Sequence, residues 1–255
     1  MFDIVKNSDA IIVLGSRISL DAVKLCEAIK SSGADFVYMH PIDDVDLEET
    51  YTQFIKYEVG SEEGVLALLA SYLIKQADAK TKAYIQELDI GYISAESNVG
   101  EEELEELCER FDSKEKKLLL LGSDLLNHPR VDNITKLIDI IEMYSGFGVM
   151  FIDDEIKTKE TKIEDVEELD TYNGCVIYGF SSLDNSSFKG AQAFATAAKI
   201  KADDMVIVQF DGIKEKRKFQ LDPEMKGTIA LYPVKDAKNF GYRFKQVRIS
   251  KVDDE

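Results

Sequence analysis

The sequence predicts an α/β protein: a mostly parallel, doubly wound sheet with helices on both faces and a small β-rich C-terminal extension. Three observations carry that prediction. One pattern occurs three times: an apolar strand, a Gly-Ser turn or near variant, a helical stretch, and a second apolar strand. The strands are apolar runs without polar alternation, as suits strands buried on both faces. Each pair is separated by enough chain for the helical crossover that parallel neighbours require.

The first copy is Ile11-Ile12-Val13-Leu14-Gly15-Ser16, then Leu20 to Lys30, then Phe36-Val37-Tyr38-Met39. Ser19 has the chemistry of an N-cap for that helix. Ser32-Gly33 would end it in the left-handed manner. Pro41 to Glu49 reads as an acidic loop. Gly60-Ser61-Glu62-Glu63 then opens a helix, with Ser61 as cap and acids in the first turn. Val65, Leu66, Leu68, Leu69, Tyr72 and Leu73 supply its apolar stripe. Residues 78–90 read as a second helix, and Gly91 to Gly100 as a polar loop. Glu101 to Phe111 reads as an acidic helix with Leu104, Leu107 and Cys108 on one face.

The second copy is Leu118-Leu119-Leu120-Leu121-Gly122-Ser123, then Asn133 to Tyr144, then Val149 to Ile152. Residues 153–171 read as an acidic loop plus a short helix carrying Ile163, Val166 and Leu169. The third, weaker copy is Cys175 to Ser181, Ala191 to Lys199, and Met205 to Val208. Beyond Gly212, Lys218 to Leu221, Thr228 to Tyr232 and Tyr242 to Ile249 read as short strands. Asp222-Pro223 and Asp236 to Gly241 supply the turns between them. The expected division is 1–152, an α/β domain with two βαβ-like units, and 153–255, the third unit plus the β-rich tail.

The chain has 255 residues and a formal net charge of −18, with 49 acidic against 31 basic residues. That charge disfavours nucleic acid and anionic membrane surfaces as direct partners. Its three cysteines, Cys26, Cys108 and Cys175, lie far apart in the sequence. They provide no disulfide framework and too few ligands for an iron–sulfur cluster. The start lacks a secretory pattern, and no apolar run reaches the roughly 18 residues needed to span a bilayer.

Doubly wound sheets bind ligands at the carboxyl ends of their strands. The candidate cofactor-binding residues are therefore Gly15, Ser16, Arg17, Gly122 and Ser123. Backbone N–H groups, hydroxyls and a guanidinium at a helix start favour an anion. Asp124, two residues after Gly122, opposes one. There is no GxGxxG and no completed P-loop. His128, before Pro129, is a candidate base for a hydrolase using a serine of the 94–97 loop. Asp43-Asp44, Asp153-Asp154-Glu155 and Asp253-Asp254-Glu255 are carboxylate runs in loops and at the terminus, and no metal is expected at them.

Several segments resemble one family. Asn7 to Gly15, the following helix, and Gly33 to Pro41 are similar to the nucleotide-fold units of the molybdopterin oxidoreductase superfamily. Lys56 to Leu69, Ile93 to Glu103 and Leu120 to Tyr144 resemble, more specifically, the molybdopterin-oxidoreductase-like domain of NADH:quinone oxidoreductase, respiratory complex I, in its divergent epsilonproteobacterial form. The resemblance spans about residues 5–152. Relatives that hold a pterin often carry Asn-Pro after the first glycine and Asp-Pro-Arg after the second strand. Here those places read Gly15-Ser16-Arg17-Ile18 and His40-Pro41-Ile42.

The resemblance implies a non-catalytic structural or docking domain of the complex's peripheral arm, without a cofactor or catalytic centre of its own. Its partners would be other complex I subunits. Its location would be cytoplasmic, on the inner face of the cell membrane and attached only through the complex. The alternative reading is a stand-alone nucleotide- or dinucleotide-binding module.

Overall fold

A computed structural model describes residues 1–153, 162–168 and 171–252. The chain divides into two units, Met1–Asp170 and Thr171–Glu255.

The first unit begins with a short helix, α1 (Phe2–Lys6), and then β1 (Ala10–Leu14). Two helices follow, α2 (Ile18–Asp21) and α3 (Val23–Ser32). The expected single helix from Leu20, capped by Ser19, is thus corrected. Ile18 is fully buried, so the helical turn starts two residues early, and Ser19 lies inside it. Ala22, with φ −145°, breaks the backbone between the two helices. Gly33, at φ +68°, ends α3 in the left-handed conformation, as Ser32-Gly33 predicts.

Next come β2 (Asp35–Met39) and a short strand that the sequence pattern does not announce, β3 (Gln53–Ile55). The helices α4 (Glu62–Leu73), α5 (Ala79–Glu87), α6 (Ile90–Ser97) and α7 (Glu101–Asp112) follow. Ser61 precedes α4, but its hydroxyl donates to the Glu58 carbonyl instead of capping the helix. The expected loop at Gly91–Gly100 is the helix α6 for most of its length. Asp89 caps it by accepting from the Tyr92 N–H, and Ile93 and Ser97 bury against the core. Tertiary packing overrides weak propensity there. The serines fit because Ser97 donates back to the Ile93 carbonyl within the helix.

The unit closes with β4 (Lys117–Leu121), α8 (Val131–Tyr144) and β5 (Gly148–Phe151). Among the described residues its sheet has five strands, all parallel, in the order β3-β2-β1-β4-β5. Side chains on one face, including Ile12, Leu14, Leu119 and Leu121, join the core under α4, α7 and α8. Those on the other, including Ile11, Val13, Leu118 and Leu120, join the core with α3. This is why β1 and β4 read as unbroken apolar runs. Residues 162–168 carry no helix, contrary to expectation. Asn133 pins this stretch at Glu164: its Oδ1 accepts from the Glu164 N–H at 2.8 Å and its Nδ2 donates to the Glu164 carbonyl at 3.0 Å. Leu169, Asp154, Glu155 and residues 253–255 lie outside the described residues.

The second unit holds β6 (Val176–Ser181), β7 (Ser187–Gly190), α9 (Gln192–Ala198), β8 (Met205–Phe210), β9 (Ile213–Leu221), β10 (Ile229–Val234), β11 (Phe244–Gln246) and β12 (Arg248–Lys251). Their order is β11-β6-β10-β7-β9-β8-β12, a mixed sheet. The third sequence copy is therefore not another parallel βαβ unit. β6 and β8 are not neighbours, and β8 pairs antiparallel with both β9 and β12. The tail strands complete this sheet. β11 and β12 stand at opposite ends of the order, yet only Val247 separates them in the chain. One bent strand thus forms both ends of the order and closes the sheet into a barrel. Phe188, Phe194, Phe219 and Tyr232 fill the interior.

Candidate functional site

The strand order reverses beside β1: the chain steps from β1 to β2 on one side and reaches β4 on the other. The crevice above that reversal is where such folds place ligands. The structure brings both glycine turns there. The Gly122 N–H donates to the Leu14 carbonyl at 2.8 Å, and the Asp124 N–H to the Gly15 carbonyl at 3.0 Å. The turns are back to back. A Cβ at Gly122 would sit 2.1 Å from the Gly15 oxygen and 2.3 Å from Ser16 Cβ. Gly15 itself has φ +73°, a conformation that side chains strain.

Backbone donors that could cradle a phosphate at the second turn are thus bound to the carbonyls of Leu14 and Gly15. The side chains also turn inward. Ser16 is fully buried and its hydroxyl donates to Asp21 Oδ2 at 3.3 Å. Arg17 is 4% exposed, and its Nη2 lies 3.4 Å from Oδ1 of the fully buried Asp44. Ser123 opens a 3-10 turn, Ser123–Leu125. As they stand, these turns do not fit the phosphates of a pterin dinucleotide.

A second set of residues crosses the same end of the sheet. His40, just past β2, places Nε2 3.2 Å from Asp124 Oδ2, just past β4. The Ile42 N–H lies 3.1 Å from His40 Nδ1, with the Ile42 carbonyl at the same distance. When the N–H donates to Nδ1, the ring proton sits on Nε2 and faces the carboxylate. Tyr38 stacks on the imidazole with centroids 5.7 Å apart. His128 repeats the device. Its Nδ1 accepts from the Arg130 N–H at 3.0 Å, and its Nε2 faces the Gly60 carbonyl at 3.1 Å and Glu62 Oε2 at 3.4 Å. In both, a His-Pro step turns the chain so that the N–H two residues on reaches Nδ1.

Glu62 and Glu63 stand in the first turn of α4, as the sequence predicts, and both are buried. Glu63 is held by Asn133 Nδ2 at 2.5 Å and by Arg130. The missed signal was α4 itself: an apolar run wrapping every face marks a helix buried all round. The Tyr38 hydroxyl is pushed well above the usual tyrosine range by burial and then by the Asp44 carboxylate. Burial and then Glu62 do the same to Tyr57.

No His128–Ser hydrolase pair forms. Ser94 donates to the Val99 carbonyl and Ser97 to that of Ile93. Of the first carboxylate run, Asp43 accepts from the Tyr51 hydroxyl while Asp44 is buried with Arg17. Among the described residues, no group of three or more His, Cys, Asp or Glu side chains is placed to hold a metal ion. Burial raises all three thiols above the usual cysteine range. Among the described residues, no helix is long and apolar enough to cross a membrane. No protein-family model and no curated protein matches the chain.

Proposed function

We propose that this chain is a non-catalytic docking subunit or domain of the peripheral arm of NADH:quinone oxidoreductase. In this reading it keeps the fold of a molybdopterin oxidoreductase domain and uses the ligand end of the sheet as a structural junction. The observation that supports it is the closure of the crevice. Gly122 packs on Gly15, Arg17 pairs with Asp44, and His40 spans to Asp124, each pair buried. The segmental resemblance at Lys56–Leu69 and Leu120–Tyr144 supplies the choice of complex. Attachment to the inner face of the cell membrane would run through neighbouring subunits. The test is native-gel migration of the tagged chain from detergent-solubilised membranes of its source, with mass spectrometry of the band. Co-migration with quinone-reductase subunits is expected. Migration as a free species would overturn the reading.

One observation favours the second reading, a nucleotide-binding module. Among the described residues, Arg17 Nε and Nη1 are buried without a hydrogen-bond partner, a costly state that a phosphate would relieve. Binding would require Asp44 to yield its place. Nucleotide binding that Arg17→Ala abolishes would establish this alternative.

A further inference from the structure

The chain's charge is divided unevenly. Met1–Asp170 carries 17 Lys and Arg against 38 Asp and Glu, whereas Thr171–Glu255 carries 14 against 11. Within the second unit, much of the excess lies on one sheet face. β9 alternates, with Phe219 buried inward and Lys214, Lys216 and Lys218 on the opposite, outward side. The register sets Gln209, Ile207 and Met205 of β8 directly beside these three lysines. It continues to Arg248 beside Gln209 and Ser250 beside Ile207 on β12. On the other flank, Ser187 of β7 pairs with Lys218, and Lys189 with Gln220. Lys218 is bridged to Asp203 at 2.7 Å. Lys214, Lys216 and Arg248 are exposed and make no ion pair among the described residues.

We infer that this outward β8–β9–β12 face docks a carboxylate-rich surface of another polypeptide. Three unpaired cations in adjacent rows attract an anionic partner, and charge complementarity of this kind sets orientation and encounter rate. Ile207 lies beside Lys216 and Met205 beside Lys218, so apolar area adjoins the charges, a mixture that protein interfaces use. No aromatic stands at its outward positions, so it lacks the stacking platforms of a single-strand binder. The whole chain, at −18, is repelled by extended polyanions such as duplex nucleic acid or an anionic bilayer. A protein partner that covers only this patch responds chiefly to the charges nearest it, because screening confines the interaction to about 10 Å. The inference rests on the docking reading only for where the partner is sought.

The test uses the full chain and three immobilised probes: the short acidic peptide hexa-L-glutamate, vesicles containing phosphatidylglycerol, and single-stranded DNA. The wild type should bind hexa-L-glutamate, with affinity falling as salt rises. Lys214→Glu with Lys216→Glu and Arg248→Glu should weaken that binding about tenfold. The matched reversal of exposed Lys24, Lys80 and Lys82 to Glu should leave it within about twofold. If the triple reversal disturbs the far-UV spectrum, Lys214→Gln with Lys216→Gln replaces it, with a smaller loss in the same direction. Absent wild-type binding, equal loss in the matched reversal, or a loss confined to vesicles or DNA would each overturn the inference. Intact hexa-L-glutamate binding in a chain that fails to co-migrate with quinone-reductase subunits would sink the complex reading and leave this face standing.

Discussion

The His40 imidazole bridges β2 to β4 by meeting Asp124 Oδ2 at 3.2 Å across the end of β1, with neither side chain exposed. Each side chain solves the other's burial problem. Removing one partner leaves a desolvated polar group, whereas removing both leaves only a packing defect.

Asp124→Ala should therefore cost about 3 kcal/mol of unfolding free energy in urea titrations. Asp124→Asn, which keeps an acceptor facing Nε2, should cost less. Combining His40→Ala with Asp124→Ala should cost clearly less than the sum of the single changes, the mark of a direct coupling. Additive losses would show that the pair does not act as one.

Gly122→Ala tests the back-to-back turns. Its methyl would meet the Gly15 carbonyl backbone, which cannot rotate away, so the variant should lose several kcal/mol or fail to fold. Gly146→Ala is the control. Gly146 has φ +78° but nothing within 4 Å of its added Cβ, so only backbone strain of about 1 kcal/mol is expected. Thermal unfolding of the two variants separates packing from conformation.

Stability should fall above about pH 10, the ordinary tyrosine range. Tyr38 and Tyr57 have raised folded values, so the unfolded chain loses its protons first and is favoured as pH rises. Tyr51 and Tyr72, each pushed up to about 12, add to the slope until the pH passes their folded values. Among the described residues, neither the Tyr38 nor the Tyr57 hydroxyl has a hydrogen-bond partner. Tyr38→Phe should then change stability little at pH 7 and flatten the alkaline limb by up to about 1.4 kcal/mol per pH unit. Denaturant titrations from pH 7 to 11 read both effects.

Asn133→Ala should release residues 162–168 and leave Glu63 with one partner fewer. A loss of about 2 kcal/mol is expected, since a buried carboxylate forfeits a hydrogen bond. Hydrogen exchange gives the sharper readout: the Glu164 amide, bonded to Asn133 Oδ1, should lose protection while β1 keeps it.

The parallel sheet of the first unit was legible because β1 and β4 are covered on both faces and so read as continuous apolar runs. The left-handed Gly33 and the acidic α7 were legible for equally local reasons. What local pattern hid was set by packing. The serines of 91–100 suggested a loop, yet Ile93 and Ser97 are buried and Asp89 caps a helix. Met205 to Val208 resembled a parallel strand because Val206 and Val208 face a barrel interior, but its partners come from the tail. The candidate turns were correctly placed at the strand ends. Their closure depends on Asp44 and Asp124, acids whose burial no charge pattern announces. The paired His-Pro steps were the one sequence signal that marked this junction.

The measurement that tests the closed junction most directly is the melting temperature of the full chain with millimolar ATP, NADH or GTP, in wild type and in Arg17→Ala. A ligand at one hundred times its dissociation constant stabilises by about 2.7 kcal/mol, a shift readily seen. The closed crevice predicts no shift with any of the three in either protein. A wild-type rise that Arg17→Ala removes would contradict it, and would assign the end of the sheet to a nucleotide.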